Sequence, residues 1–382
     1  MKILYDYQLF YGQRIGGASR IYAELVKELP QLGQTIDIGL VYSNNEHLKA
    51  VSDFPTKPFK DYEHFLGGVH FRGKKRIHEM LQKTGIIPNY DAFNKKASID
   101  KLKAQDFDVF HPTFYDDYFL DYIGNKPFVL TILDMINEKF RTDAIAQKQS
   151  ELKKRLSERA AHIIAISENS KKDAVELLGI PPEKISVTYL GNSIDAGTIV
   201  KTHTLTLPEK YILYVGGRPD YKNFDRFLKA TIPLLKKDAD LHIVCTGFPF
   251  TPQEKISFSV RGIDKQLVPL FANEAAFSEL YQRAICFVYP TLYEGFGIPV
   301  VEAFANSCPV VLSNASSLPE VGGEAAVYFN AESEKDMTEK IEHVLSNESL
   351  RQDMQRKGLK QLEKFSWAKT AERTLEVYKK MG

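Results

Sequence analysis

Two glutamates eight residues apart, Glu294 and Glu302, have the type and spacing that could hold a ligand rich in hydroxyl groups. Between them, Gly295 and Gly297 predict a tight turn whose backbone amides can approach a ligand closely, and Pro299 fits the first position of a following helix. Helix N-terminal amides attract phosphate, and a carboxylate accepts hydrogen bonds from neighbouring hydroxyls. The string therefore suits a nucleotide sugar, with one glutamate for the sugar, one for the ribose and the amides for the diphosphate.

This pattern places Glu302 in the first turn of the predicted helix and Glu294 in the loop before it. The alternative interpretation needs no ligand, because an acidic residue early in a helix also interacts favourably with the helix dipole.

Two cations, Arg218 and Lys222, lie in a short loop that follows the glycines of Val215-Gly216-Gly217. If the ligand is a nucleotide sugar, transfer of its glycosyl group would build negative charge on the departing phosphate, and a protein that catalyses it must mainly stabilise that leaving group. Arginine can do so with its fork of donors and lysine as a point charge. The alternative is a pair of ordinary exposed loop cations.

Gly16 and Gly17 follow the first apolar run and precede an amphipathic stretch, so no side chain there blocks an approaching phosphate or acceptor. A tight turn without a ligand is the alternative. A dinucleotide-binding dehydrogenase is a competing interpretation, but Ser43 and the asparagines after it stand where the acidic residue that binds ribose would end the second strand.

Short apolar runs alternate with longer helical patterns along the chain, which predicts parallel sheets covered by helices. The runs in the first half are 2–5, 35–42, 108–111, 128–133, 162–167 and 184–190, and those in the second half are 211–215, 241–246, 286–289, 309–313 and 326–329. We expect an α/β fold with two Rossmann-like, doubly wound parallel-sheet domains. Ligands of such sheets bind beyond the carboxyl ends of the strands, so the site is expected in a cleft between the two domains.

The domain boundaries follow from a polar stretch at 191–208 that breaks all periodicity. We predict an N-terminal domain at 1–190 and a C-terminal domain at 205–366 that binds the nucleotide sugar. The amphipathic stretch 367–382 is expected to form a final helix.

The composition is that of a soluble globular protein, with 43% hydrophobic and 26% charged residues. A net charge of +1 argues against a dedicated nucleic-acid binder, and no apolar run approaches the roughly 18 residues of a membrane span. A cytoplasmic location is the default expectation, with the inner face of the membrane as a second possibility. Cys245, Cys286 and Cys308 are interpreted as buried small hydrophobic residues rather than disulfide partners or metal ligands.

The stretch 57–103 differs from the rest, with eleven Lys or Arg against five Asp or Glu and interleaved apolar residues. One interpretation is a solvated helical insertion. The other is a surface that contacts anionic lipid or a lipid-linked acceptor.

Several segments together resemble the retaining glycosyltransferases of family 4. Glu294 to Glu302 resembles the Glu-x7-Glu motif of that family, and further similar segments occur in the family's order at 16–20, 111–115, 166–171, 215–223 and 365–367. The nearest branch is that of mannosyl-, rhamnosyl- and related transferases that build bacterial surface polysaccharides and lipopolysaccharide. The resemblance implies a GT-B architecture whose last helix crosses back onto the N-terminal domain.

The residues and the resemblance together predict the site. The catalytic candidates are Arg218, Lys222, Glu294 and His111, and the donor-binding candidates are Gly16, Gly17, Gly217, Arg218, Lys222, Glu294, Gly295, Phe296, Gly297 and Glu302. His111 ends a predicted strand and could contact the acceptor or the sugar, or it could be a structural histidine. Tyr221 stands where the family often has arginine, so that role is assigned to Arg218.

Leu133 departs from the family, which commonly has histidine there, near the C6 hydroxyl of the sugar and the phosphate. A leucine cannot hydrogen-bond to that hydroxyl, which favours a 6-deoxy donor such as a rhamnosyl or fucosyl nucleotide, or else weak activity. Asp134 and Glu138 remain as acceptor-side carboxylates or helix caps.

The predicted activity is transfer of a hexosyl or 6-deoxyhexosyl group to a saccharide or lipid-linked acceptor. The resemblance implies retention of anomeric configuration without a divalent ion, and no metal-binding motif is present, so no cofactor is expected. The alternatives are a nucleotide-sugar epimerase, for which the motifs supply no evident acid–base pair, and a catalytically weak sugar-nucleotide-binding subunit, which turnover would distinguish.

Overall fold

The protein is described by a computed structural model covering residues 1–60, 65, 69, 73–194, 205–271 and 274–381. Parts of the predicted 57–103 insertion and of the 191–208 link therefore lie outside the described residues.

The N-terminal half contains two three-stranded parallel sheets, in the orders β2-β1-β3 and β4-β5-β6. A parallel bridge between Phe110 and Phe128 joins them edge to edge. The strands are β1 (Lys2–Tyr5), β2 (Thr35–Ile38), β3 (Val109–His111), β4 (Val129–Ile132), β5 (His162–Ala165) and β6 (Ile185–Val187).

Helices cover the faces of these sheets, because buried parallel strands need apolar cover on both sides. They are α1 (Gln8–Gly12), α2 (Gly17–Gln31), α3 (Glu46–Val51), α4 (Lys74–Lys83), α5 (Tyr90–Ala104), α6 (Ile136–Phe140), α7 (Ala144–Arg159) and α8 (Glu168–Leu178).

The C-terminal half contains one six-stranded parallel sheet in the order β12-β11-β10-β7-β8-β9. Its strands are β7 (Tyr211–Tyr214), β8 (His242–Thr246), β9 (Leu267–Leu270), β10 (Cys286–Tyr289), β11 (Val310–Ser313) and β12 (Ala326–Phe329). The strand order reverses between β7 and β10, and a ligand crevice is expected at such a switch point. The loops that carry Lys222 and Glu294 follow these two strands.

Within the described residues, the C-terminal half also contains eight α-helices. They are α9 (Phe224–Lys237), α10 (Pro252–Arg261), α11 (Glu274–Arg283), α12 (Ile298–Ala305), α13 (Leu318–Gly322), α14 (Glu334–Ser346), α15 (Glu348–Leu362) and α16 (Trp367–Lys379).

The predicted α/β class with parallel sheets is confirmed, and every predicted apolar run contains a strand. The sequence pattern missed β9, which contains Pro269. Proline cannot donate to a strand ladder, and β9 lies at the sheet edge, where that loss is tolerated. The three cysteines are buried and free, as predicted.

The helix after the Glu-x7-Glu turn begins one residue earlier than predicted. Gly297, with φ 109°, precedes it, Ile298 is its first residue and Pro299 its second. Glu302 is therefore the fifth helical residue and lies in the second turn, which corrects its predicted place in the first turn.

The final helix, α16, packs against α2 and β5 of the N-terminal half. Its buried Tyr378 hydroxyl lies 3.0 Å from the Tyr5 hydroxyl. Gly191 packs directly against Trp367 where the chain crosses between the halves. A Cβ at Gly191 would lie 2.2 Å from the backbone nitrogen of Trp367, so only glycine fits there. The Trp367 indole donates to Ser193, which further joins the two crossing segments.

Candidate active site

A cavity of about 740 Å³ lies between the two halves, at the carboxyl ends of strands from both. Its walls come from the loops and helix starts that follow β1, β4, β7 and β10. Of the predicted site residues, the structure brings together eight around this cavity: Gly16, Gly17, Lys222, Glu294, Gly295, Phe296, Gly297 and Glu302. Gly217, Arg218 and His111 are not among the lining residues, whereas the neighbouring Gly216 is.

Lys222 and Glu294 form an ion pair in the cavity wall, with 2.6 Å between Lys222 Nζ and Glu294 Oε1. The two side chains are only 15% and 12% exposed, and Lys222 also donates to the Tyr289 hydroxyl at 3.1 Å. Asn223, with φ 58°, holds the loop that carries Lys222 by donating to the carbonyls of Pro290 and Ala331. The cation is therefore placed by hydrogen bonds to the loop that bears Glu294.

The loop that bears Glu294 is itself fixed by two serines after β11. The Glu294 amide donates to Ser316 Oγ at 2.8 Å, and Ser317 Oγ donates to the carbonyls of Glu294 and Phe296. Because the backbone is held at both ends of the turn, the Glu294 carboxylate has a defined position in the cavity.

Glu302 belongs to the C-terminal half, and its carboxylate reaches a side chain of the N-terminal half. Arg20, the fourth residue of α2, places Nη1 3.2 Å from Glu302 Oε1, and the Tyr281 hydroxyl donates to Glu302 Oε2 at 3.2 Å. An ion pair thus spans the cleft at the position where sequence reasoning places the ribose.

Gly295 is required by the close approach of the two halves. A Cβ at this position would lie 2.0 Å from the Leu133 carbonyl oxygen, a distance that no side chain can occupy. Ser170 Oγ donates to the Gly295 carbonyl at 3.1 Å, from the N-terminal half. The glycine therefore sets how closely the loop after β10 approaches the loop after β4.

Gly16 and Gly17 lie at the start of α2, facing the same cavity. A Cβ at Gly17 would meet Ile298 Cδ1 of the C-terminal half at 3.4 Å. That is an ordinary van der Waals distance, whereas a Cβ at Gly16 would clash with Gln13 Oε1 of its own half at 2.4 Å.

The structure places Arg218 outside the cavity. Its guanidinium pairs with Glu254 at 2.6 Å, donates to the carbonyls of Phe248 and Pro249, and lies 4.9 Å from the ring centre of Phe250. Arg218 lines a separate pocket beside α9 and α10. Arg218 is therefore not brought together with Lys222 as the sequence suggested, because its guanidinium pairs with Glu254 of α10 whereas Lys222 pairs with Glu294.

Sequence reasoning did not assign a role to Arg20, although it lies within the matched segment at 16–20. The available signal was its position four residues after Gly16, since residues four apart share one face of a helix. Arg20 therefore points to the same side as the glycine turn.

His111 is buried in the N-terminal core, with no exposed surface. Its Nδ1 lies 2.6 Å from the Tyr378 hydroxyl and its Nε2 lies 2.9 Å from Thr131 Oγ1, so both ring nitrogens are engaged. This geometry supports the structural alternative rather than contact with a substrate. Burial lowers the pKa of His111 to about 3, so the imidazole is neutral at physiological pH.

The lowered pKa of His111 predicts a pH-dependent stability. Above pH about 6.5 the histidine is neutral in both folded and unfolded chains, whereas below it only the unfolded chain takes up the proton. The free energy of unfolding should therefore fall by up to about 1.4 kcal/mol per pH unit as the pH drops from 6.5 towards 3. Urea unfolding of wild type and His111→Gln at several pH values measures this slope.

The comparison of slopes rather than of absolute stabilities makes the test specific, because other titrating groups, such as the buried Asp6, are common to both proteins. The variant should show a shallower fall across this range. Equal slopes for the two proteins would contradict the assignment of a buried neutral histidine.

Leu133 and Asp134 both line the cavity, whereas Glu138 does not. Glu138 forms an ion pair with the buried Lys153 at 3.0 Å. Asp134 faces the cavity, and its Oδ1 accepts from the Ile136 amide two residues further on at 3.0 Å. Burial raises the pKa of Asp134, and Glu294 adds to that rise.

Part of the basic insertion lies on the surface of the N-terminal half. Ile77 and Met80 of α4 are 40% and 56% exposed, beside the exposed Lys75 and Arg76. Contact of this surface with anionic lipid stays a prediction. No helix within the described residues is long and apolar enough to cross a membrane, and no group of three or more potential metal ligands occurs in that part of the chain.

Each half of the chain matches a known protein family. Residues 15–195 match the family model described as Glycosyltransferase Family 4, and residues 196–361 match the model described as Glycosyl transferases group 1. The chain is 29% identical over 229 residues to the O-antigen chain mannosyltransferase B of Escherichia coli, a match covering 57% of this chain and 60% of that protein. It is 25% identical over 396 residues to an uncharacterized glycosyltransferase of Methanocaldococcus jannaschii, covering 97% of this chain and 96% of that one.

The fold has solved relatives as well. Sucrose-phosphate synthase from Thermosynechococcus elongatus superposes with a TM-score of 0.72 at 14% identity, covering 100% of this chain and 98% of that one. These matches confirm the predicted family and the predicted two-domain architecture. The chain belongs to the family 4 glycosyltransferases of GT-B architecture, with a family 4 domain followed by a group 1 domain.

Proposed function

We propose that this glycosyltransferase takes its sugar from a nucleotide diphosphate sugar bound in the cavity between the two halves and transfers it with retention of configuration. The observation that carries the proposal is the Lys222–Glu294 ion pair, held at the strand-order switch point and directed into the cavity. A cation suits the departing diphosphate and a carboxylate suits the sugar hydroxyls, so one pair supplies both groups.

In the proposed reaction the bond between the anomeric carbon and the diphosphate oxygen breaks as the acceptor oxygen bonds to the same carbon. The acceptor hydroxyl gives its proton to the departing phosphate on the same face of the sugar, so atoms and charge balance without another reactant. Lys222 stabilises the negative charge on the leaving group. Glu294 holds the sugar, and Glu302 accepts hydrogen bonds from the ribose.

We assign the acceptor to the class of saccharides and lipid-linked saccharides of surface-polysaccharide assembly. The Escherichia coli relative is an O-antigen chain mannosyltransferase, which supports this class, although the match covers only 60% of that protein. A cytoplasmic reaction without a divalent ion completes the proposal. Transfer should therefore proceed unchanged in the presence of EDTA.

A thermal-shift screen against UDP-, GDP- and dTDP-sugars tests the proposed function. A ligand at 100 times its dissociation constant stabilises the folded chain by about 2.7 kcal/mol, which such a screen detects. At least one nucleotide series should raise the melting temperature, and the corresponding free monosaccharides should not. No shift with any of the nucleotides would contradict a nucleotide-sugar donor.

The two glutamates should have separable effects. Glu302→Gln is expected to raise the dissociation constant of the free nucleoside diphosphate, because Glu302 is assigned to the ribose. Glu294→Gln should leave that constant nearly unchanged and lower turnover instead. Calorimetric titration together with steady-state kinetics measures both quantities, and equal effects on nucleoside diphosphate binding would remove this division of roles.

The apolar wall formed by Leu133 predicts the class of sugar. The side chain is partly buried and faces the cavity, where a hydroxyl at C6 would find no partner on it. A 6-deoxy sugar nucleotide should therefore be preferred by about 10- to 100-fold over its 6-hydroxy counterpart, since an apolar wall rejects an added hydroxyl only moderately.

Competition between GDP-rhamnose and GDP-mannose, or between dTDP-rhamnose and dTDP-glucose, measures this preference. Leu133→His should shift it towards the 6-hydroxy donor, because imidazole restores a hydrogen-bonding group. A clear preference of the wild type for the 6-hydroxy sugar would contradict the prediction.

A further inference from the structure

The cavity lining contains more acidic than basic side chains, although a diphosphate is itself an anion. Among the described lining residues, Arg20 and Lys222 are the arginine and lysine side chains, against the carboxyl groups of Asp134, Glu294 and Glu302. Lys222 is already paired with Glu294, so a diphosphate that carries several negative charges needs a second cation.

Arg218 is poorly suited to be that cation. Its side chain is only 9% exposed, and the Glu254 that it binds also closes a capping box with Thr251 at the start of α10. Moving the guanidinium into the cavity would break an ion pair and two hydrogen bonds to carbonyl groups. These contacts give Arg218 the role of joining the loop after β7 to the loop after β8.

Arg20 is well suited, because its guanidinium already lies in the cavity wall. Its contact with Glu302 is 3.2 Å, longer than the 2.6 Å between Lys222 and Glu294. Glu302 keeps a second donor, the Tyr281 hydroxyl, if Arg20 moves away. The ion pair can therefore separate while the Glu302 carboxylate keeps a hydrogen-bond donor.

We propose that Arg20 is the second diphosphate-binding cation and that donor binding exchanges the partners of the Arg20–Glu302 pair. Arg20 then binds the phosphate with its forked donors, and Glu302 accepts hydrogen bonds from the ribose. The inference rests on the proposed nucleotide-sugar donor. Since Arg20 belongs to the N-terminal half and Lys222 to the C-terminal half, the diphosphate bridges the cleft in place of the direct ion pair.

Calorimetric titration of Arg20→Ala, Arg20→Lys and Arg218→Ala tests this assignment. The probes are UDP, GDP and dTDP and their parent nucleosides uridine, guanosine and thymidine. Arg20→Ala should weaken the diphosphate that binds the wild type by about 10- to 100-fold, the scale of a lost charge-assisted hydrogen bond. It should change the affinity for the nucleoside far less, and Arg20→Lys should fall between wild type and Ala.

Arg218→Ala should instead lower the melting temperature while leaving the diphosphate affinity within a few-fold of wild type. The ratio of diphosphate to nucleoside affinity distinguishes a phosphate contact from a structural effect, because a loosened cleft would weaken both ligands together. An unchanged ratio in both Arg20 variants, or loss of diphosphate binding in Arg218→Ala alone, overturns the inference. A wild type that binds none of the three diphosphates contradicts the proposed function itself.

Discussion

Replacing Lys222 by alanine is expected to lower kcat of glycosyl transfer by about 100-fold or more, the scale of removing one preorganised donor from a developing anion. The effect should be large because Lys222 is held in place by Glu294 and Tyr289 and therefore needs little reorganisation to meet the departing phosphate. Steady-state kinetics with the donor identified by the thermal-shift screen measure the loss.

Lys236→Ala is the matched control, since Lys236 lies exposed on α9, the helix that follows the Lys222 loop. It should keep wild-type kinetics. Lys236→Ala should unfold near the wild-type temperature, whereas Lys222→Ala leaves the Glu294 carboxylate without its cation and should unfold at a lower temperature. Kinetics measured at a temperature at which both variants remain folded separate a catalytic loss from misfolding. A Lys222→Ala enzyme with kcat close to wild type would remove the lysine from the leaving-group role, and activity lost with EDTA and restored by Mg²⁺ or Mn²⁺ would contradict a metal-free reaction.

Replacing Gly295 by alanine should also cause a large loss, through geometry rather than charge. The added Cβ would clash with the Leu133 carbonyl oxygen at 2.0 Å, so the loop after β10 must move away from the N-terminal half. A displacement of about 1 Å can cost on the order of 100-fold in rate, and kcat/KM should fall by about that factor. Kinetics of the variant measure the loss.

Gly12→Ala provides the control for this substitution, because nothing lies within 4 Å of a Cβ at Gly12. The two halves should still fold in Gly295→Ala, since the clash lies between them and not within either core. Near wild-type kcat/KM in that variant would show that the close contact between the loops is not needed for transfer.

The sequence predicts the sheets and the cavity loops well because both depend on local patterns. Apolar runs mark buried parallel strands, and the turns after them lie at the same sheet edge. The first residue of α12 was predicted one position too late. Either Ile298 or Pro299 could begin the helix by residue type, and the left-handed backbone of Gly297 places the start at Ile298.

Side-chain direction was less predictable. Every residue of β3 is buried, so the usual alternation of inner and outer faces did not reveal that His111 points into the core. Two arginines show the same difficulty. Arg218 was predicted to line the cavity and does not, whereas Arg20 was given no role and does line it. The partner of Arg218 lies 36 residues away and that of Arg20 lies 282 residues away, and such pairs leave no local pattern.

A crystal structure with the nucleoside diphosphate that gives the largest thermal shift tests the central claim most directly. The diphosphate should lie within hydrogen-bonding distance of Lys222 Nζ in the cavity between the halves, with the ribose hydroxyls on the Glu302 carboxylate. A nucleotide bound in the pocket beside Arg218, or one that leaves Lys222 and Glu302 without contact, would contradict the account.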